Sequence, residues 1–312
     1  MTADTSPPGA ADGAGPTTVH DADDAGAGLW SVAFRRLRRN PGAIIGALIV
    51  LAFVLIALLA PVLAQYGPGE LPGRAQIRPT VIPGPSAEFP LGLDRYGGDL
   101  LSKLIWGARA SLLIGVLSTV IGLVGGVLLG LLAGAFGGWV DAAAMRLVDL
   151  MLSVPGLLLA VSIAAVAGQT PSAVIVAIGV VQVPIFARLL RGSMLAQRGQ
   201  DYVLAASSLG LSRRTVVMSH VLPNSINPVI VQATLMLATA VIESAALSFL
   251  GLGGGSPTTP EWGRMLTAAQ NELEVAPRLA LWPGVCIAVT ALGFTLFGES
   301  LREALDPKTR KR

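Results

Sequence analysis

Six apolar stretches constrain this chain more than any other feature. They lie at about 43–63, 111–133, 147–166, 173–190, 229–249 and 281–298. A helix needs roughly 17–25 mostly apolar residues to cross the hydrocarbon core of a bilayer, and all six runs fall in that range. Only 13% of the 312 residues are charged, while 53% are hydrophobic. Soluble domains carry roughly a quarter charged residues, so these runs cannot be the buried strands or helices of a water-soluble core. The fold class expected is an all-α integral membrane protein with six transmembrane helices.

Basic residues orient the spans. Arg35, Arg36, Arg38 and Arg39 precede the first span, which places the N-terminus in the cytoplasm. Alternation then puts both ends inside, and fifteen of the 22 Lys and Arg residues fall on inner segments. The pI near 9.4 thus reflects topology and implies contact with membrane lipid, with no nucleic acid as partner. Residues 1–28 are acidic, Gly- and Ala-rich and aperiodic, which predicts a disordered tail. Residues 29–64 hold an interfacial helix, Trp30 to Asn40, and the first span. An outer loop at 65–108 is rich in Gly and Pro, with a short surface helix expected at Leu100 to Ile105. The membrane domain covers 109–300, and 301–312 is an inner tail. Gly122, Gly125, Gly126, Gly130 and Gly134 stripe the second span and invite close helix packing. In the third span, Asp149 is expected to pair with Arg146. The outer loop at 251–279 reads as a bent surface connection. Cys286 stands alone, so one chain forms no disulfide.

The longest polar interval in the second half is Asp201 to Asn224, DYVLAASSLGLSRRTVVMSHVLPN. Tyr202 to Leu209 carries good helix formers. Gly210 can end that helix, Ser212 can cap a second one, and Pro223 marks entry into the fifth span. The reading is helix, break, helix on the inner surface.

This segment resembles the coupling loop of binding-protein-dependent ABC importers. That loop has the form Glu-Ala-Ala, three residues, Gly, nine residues, Ile-x-Leu-Pro. Ala205, Ala206, Gly210, Leu222 and Pro223 keep the spacing, while Leu204 replaces Glu and His220 replaces Ile. Three further stretches are similar to the C-type permease of dipeptide and oligopeptide importers. They are FPLGLDRYGGDLLSKLIWGARASL from Phe89, ESAALSFLGLG from Glu243 with Pro260 and Trp262-Gly263, and PGVCIAVTALGFTLFGESLREALDP from Pro283. The resemblance spans about 30–308.

The resemblance implies a type I ABC importer permease fold in a multi-pass bacterial inner-membrane protein. It implies a homologous second permease, two ATPase subunits, an extracytoplasmic substrate-binding protein and a peptide cargo. Leu204, Ala205, Ala206, Ser207, Leu209, Gly210, Arg213 and Arg214 would form the ATPase-docking surface. Ala205 and Ala206 would allow close approach, Leu209 would anchor and Gly210 would hinge. The arginines would meet ATPase acids or lipid phosphates. No GxxxxGK[ST] loop is present, so ATP and Mg are expected in the partners, with no catalytic residue, cofactor or metal in this chain.

Glu243 lies inside a span, where a charge costs roughly 2.5–3.5 kcal/mol on insertion scales. It reads equally as a pathway or gate residue, with Ser244 and Ser248, or as a hydrogen-bond partner of a neighbouring helix. A nickel-chelate importer permease is an alternative of the same class, and a passive channel is one of another. An intramembrane serine protease is disfavoured, because no His lies in any span.

Overall fold

The structure is a computed structural model and describes residues 29–78, 81–256 and 258–305. The disorder expected of 1–28 lies outside the described residues, as does the tail beyond 305. The described chain is all-helical and contains no strand. Five helices are long and apolar enough to cross a membrane, and a sixth candidate span is a bent pair.

Helix α1 (Leu29–Leu37) leads into α2 (Pro41–Leu58). Asn40 caps α2, its Oδ1 accepting from the Gly42 and Ala43 amides, and Pro41 supplies a φ already suited to a first turn. A single further turn, α3 (Ala60–Leu63), ends the first span. The long helix α4 (Leu100–Phe136) follows the outer loop. Its N-cap Asp99 accepts from Ser102 N at 2.8 Å and from Ser102 Oγ at 2.6 Å. The short surface helix expected at 100–105 is therefore the opening of α4. No proline interrupts the 37 residues, so α4 runs about 55 Å without a break. It ends where Gly137 takes φ +65.

The third span is broken. Helix α5 (Gly138–Ser153) and α6 (Gly156–Ala167) meet at 93°. Pro155 lacks an amide donor, and its ring forces Val154 into extended backbone at φ −95, ψ 131. The single continuous helix expected over 147–166 is thus broken at Val154-Pro155. Helix α7 (Pro171–Arg198) then runs through the molecule, with Pro184 in its interior.

Glycines bring α4 and α7 together. A Cβ on Gly126 would stand 2.3 Å from Phe186 Cβ and 2.7 Å from the Val183 carbonyl. One on Gly130 would meet the Ala187 carbonyl at 2.7 Å, and one on Gly122 the Gln182 Cβ at 2.6 Å. The positions recur every four residues, which keeps them on one ridge of α4. The opposite face exposes Leu113, Leu117, Val120, Val124 and Leu128, as suits lipid or another subunit.

After the inner segment, α8 (Asp201–Ser208) to α10 described below, α11 (Asn227–Phe249) and α13 (Arg278–Leu305) complete the bundle. Between them the outer loop holds a short helix, α12 (Trp262–Ala269). Glu261 caps it by accepting from the Gly263 and Arg264 amides at 2.8 and 2.9 Å. Trp262 is fully enclosed. Its Nε1 donates to the Leu104 carbonyl at 3.1 Å, its amide to Ser111 Oγ at 3.2 Å, and its ring meets Phe53 edge-on. The start of α12 is therefore seated in the core, while Gly251, Gly255, Ser256, Leu273 and Val275 of the same connection stay exposed. On the same side, Lys103 pairs with Asp94, and Arg278 donates to the Pro83 carbonyl at 2.8 Å. Lys103, Arg278 and Arg95, which pairs with Glu272 at 3.1 Å, thus help to fold the outer loop.

The close packing makes a prediction. Gly126→Leu should destabilise the subunit by about 1–3 kcal/mol through overpacking. Gly192→Ala on α7 has nothing within 4 Å of its Cβ and should be neutral or gain up to about 1 kcal/mol of helix propensity. Thermal unfolding in detergent checks both. Equal melting of the two variants would contradict the packing.

Candidate functional site

The polar interval folds as helix, turn, helix. Its first helix is α8, and its second begins as α9 (Arg213–Val216). Gly210 sits between them at φ +79. The Gly210 amide donates to Ser207 O at 3.1 Å and the Leu211 amide to Ala206 O at 3.4 Å. Together these close the end of α8 as a Schellman turn, which needs a left-handed residue at this position. Ser212 then caps α9 by accepting from the Thr215 amide at 3.2 Å. Beyond α9 the helix widens into a π turn over Val217–Val221 and re-forms as α10 (Leu222–Ser225). Pro223 supplies the reason. It has no amide to donate, and its ring would strike the carbonyl four residues back in a regular helix. The fifth span starts only at Asn227.

The segment has an anchored face and a free face. Val203 and Ala206 point inward and join Phe186, Leu190 and Met194 of α7 in one buried cluster, together with Val216, Val217 and Val221. Leu204, Ala205 and Leu209 point outward, and Leu209 is 83% exposed. Ala206 was expected beside Ala205 on a contact surface. The helical turn instead places it in the core, where its small size lets α8 lie close to the bundle. Ser207 donates back to the Val203 carbonyl at 2.9 Å, so its hydroxyl is satisfied within the helix.

One of the two loop arginines is tied to its own subunit. Arg213 Nη2 donates to the Ala135 and Phe136 carbonyls, each at 2.8 Å. Arg198, the last residue of α7, donates to the same Ala135 carbonyl at 2.7 Å. These carbonyls end α4, where a helix leaves acceptors unpaired and carries partial negative charge. Arg213 thus binds its own subunit, and both Arg213 and Arg214 are exposed. Nearby, Arg191 grips Asp141 of α5 with two bonds, the Nη2–Oδ2 contact being 2.7 Å. Asp149 pairs with Arg188 of α7 at 2.6 Å. The pairing foreseen with Arg146 is replaced because α5 packs alongside α7. An open groove of about 670 Å³ runs past Arg188, between Leu152, Ile185 and Gln232.

Glu243, Ser244 and Ser248 do not share a face. Glu243 is half-buried, and its Oε2 is enclosed without a hydrogen-bond partner among the described residues. Ser244 is fully buried and donates to the Val241 carbonyl at 3.3 Å. Ser248 is enclosed beneath α12, close to Gly253 and Gly263. Ser244 and Ser248, four residues apart, thus share a buried face of α11 to one side of Glu243. The clasp on the end of α4 was not foreseen, since no local motif marks a guanidinium that bonds to a helix 78 residues away.

The turn makes a prediction. Gly210 has no atom within 4 Å of a Cβ position, so its requirement is conformational. Gly210→Ala should cost about 1–2 kcal/mol from the left-handed backbone, and Gly210→Asn less. Thermal unfolding of the purified subunit measures both. An equal or larger loss for Asn would argue against a strained turn.

Comparison with known proteins extends these observations. Residues 126–311 match the family model described as binding-protein-dependent transport system inner membrane component. Residues 28–78 match the N-terminal TM domain of oligopeptide transport permease C. The chain is 41% identical over 281 residues to the dipeptide transport system permease protein DppC of Alkalihalophilus pseudofirmus, covering 90% of each. It is 44% identical over 277 residues to the di/tripeptide transport system permease protein DppC of Pseudomonas aeruginosa, covering 87% of this chain and 89% of that one. To the glutathione transport system permease protein GsiD of Escherichia coli it is 39% identical, covering 90% of this chain and 91% of that one. Among solved structures, the MetNI methionine ABC transporter gives a TM-score of 0.54 at 19% identity, covering 66% of this chain and 98% of that one. At that identity the likeness concerns the fold, which is that of type I importer permeases.

Proposed function

We propose, for a chain that belongs to the family of binding-protein-dependent transport system inner membrane components, that it is the permease subunit of an ATP-driven importer of dipeptides or oligopeptides. The observation that carries the reading is the likeness to dipeptide and di/tripeptide permeases over about nine-tenths of the chain. In this reading a second, homologous permease completes the translocation pathway. Two ATPase subunits bind ATP and Mg and dock on the loop 201–224. A substrate-binding protein delivers peptide to the outer loops, and the assembly sits in the bacterial inner membrane.

The geometry suits such a division of labour. A docking loop must present a surface to a partner and yet be fixed to the bundle it moves. Leu204, Ala205 and Leu209 supply the outward surface, and Val203 and Ala206 the anchorage. With Leu204 where the family form has Glu, docking rests on apolar contact. Burying a leucine is worth about 1.5–3 kcal/mol.

Three measurements test the proposal. Co-expressed with its partners and reconstituted in liposomes, the complex should take up labelled alanyl-alanine only with ATP inside. Uptake without ATP would favour a passive channel and sink the reading. Leu209→Asp should weaken ATPase docking about tenfold or more, since each 1.4 kcal/mol is tenfold in affinity. Glu243→Gln should lower the rate or change the range of peptides carried, as expected of a pathway or gate residue. An unchanged rate and range would remove Glu243 from the path.

A further inference from the structure

A loop pushed by a partner moves the membrane domain only through bonds that carry force. Val203, Ala206, Val216 and Val217 give α8 and α9 an apolar seat on the inner end of α7. Apolar contact is nearly non-directional and permits sliding. The directional bonds from this loop to the spanning helices are different. Tyr202 donates to Gln197 Oε1 of α7, the helix the loop already continues, at 2.7 Å, and the two that reach α4 run from Arg213 Nη2 to the Ala135 and Phe136 carbonyls, both 2.8 Å. Hydrogen bonds from a charged donor are short, strong and oriented. The acceptors belong to the last turn of α4, just before Gly137 turns the chain at φ +65.

Helix α4 is suited to pass that force on. It is one helix from Leu100 to Phe136. The glycines that could soften it are filled from outside by Gln182, Val183, Phe186, Leu190 and Met194 of α7. Its outer half holds Trp262, through the Leu104 carbonyl and Ser111 Oγ. The inner loop and the outer α12 connection therefore grip opposite ends of one rod.

We infer that Arg213 is a positioning residue for transport, the strut by which the loop 201–224 moves α4 and, through Trp262, the outer α12 connection. This rests on the reading of that loop as the ATPase-docking element. Arg198 provides the internal contrast. It bonds to the same Ala135 carbonyl, but it belongs to α7 and not to the loop. It ties α4 to a helix already packed on it along most of its length and adds no link to the partner.

The experiment uses the full complex in liposomes, with alanyl-alanine uptake and ATP hydrolysis measured together. The parent complex must couple the two; failure there would overturn the functional reading and leave the strut without a role. Given coupling, Arg213→Gln should leave recovery of the ATPase subunits with the permease at the parent level. It should lower peptide taken up per ATP hydrolysed by about tenfold, a usual size for coupling between sites. Arg213→Lys keeps a charged donor and should restore part of the ratio. Arg198→Gln should change it by less than about twofold, because it breaks no bond to the loop. Loss of ATPase recovery in Arg213→Gln would assign the residue to docking and overturn the strut. So would an unchanged ratio, or an equal fall in Arg198→Gln.

Discussion

The contact between α4 and α7 sets the terms for the rest of the molecule. In a bilayer, helices gain little from the hydrophobic effect on meeting, because lipid tails are as apolar as leucine. Close van der Waals packing must supply the attraction. Glycine at 122, 126 and 130 lets the two backbones approach until a single methyl would overlap its neighbour. The fixed pair then offers a surface on which other elements are seated. Ala160 and Ala164 of α6 join Val174, Ala177 and Ile178 of α7, and the inner loop joins Phe186, Leu190 and Met194.

The inner loop shows how one short helix serves two partners. Helical periodicity divides α8 into a buried line through Val203 and Ala206 and an exposed one through Leu204, Ala205 and Ser208. The Schellman turn at Gly210 then ends the helix at a set length, leaving Leu209 projecting at its tip. A residue without a left-handed basin would tilt that tip and remove two backbone hydrogen bonds together. The glycine is therefore a demand of backbone geometry, and the empty space around it excludes a packing role.

Much of this was legible in the residues alone. Runs of apolar residues locate the spans because the bilayer allows few alternatives, and the coupling spacing survives as α8, Gly210 and α9. The failures share a cause. Asp149 faces Arg188 instead of Arg146, Ala206 faces inward, and Trp262 is buried beneath the outer surface. Each outcome depends on which helix lies alongside, and a one-dimensional pattern carries no neighbour. Trp262 had a weak local signal in Glu261, an acidic cap ahead of Trp-Gly. The bend at Pro155 had a stronger one, since proline biases its predecessor toward extended backbone, although Pro184 stays inside α7.

The broken span is held by a different kind of force. Helix α5 buries only Ala144 and Val148. Two ion pairs, Asp141 with Arg191 and Asp149 with Arg188, reach from it to α7. The first is two-pronged and partly sheltered, and the second is more than half exposed, where such a pair contributes at most about 1 kcal/mol. Interlocked glycines lose contact steeply with displacement, because dispersion falls off within an ångström. Coulombic attraction between flexible side chains decays far more gradually. A shift of an ångström at α5 therefore costs less than the same shift between α4 and α7. The bundle accordingly divides into a stiff pair that fixes the inner loop and a more loosely tethered half-span beside the open groove.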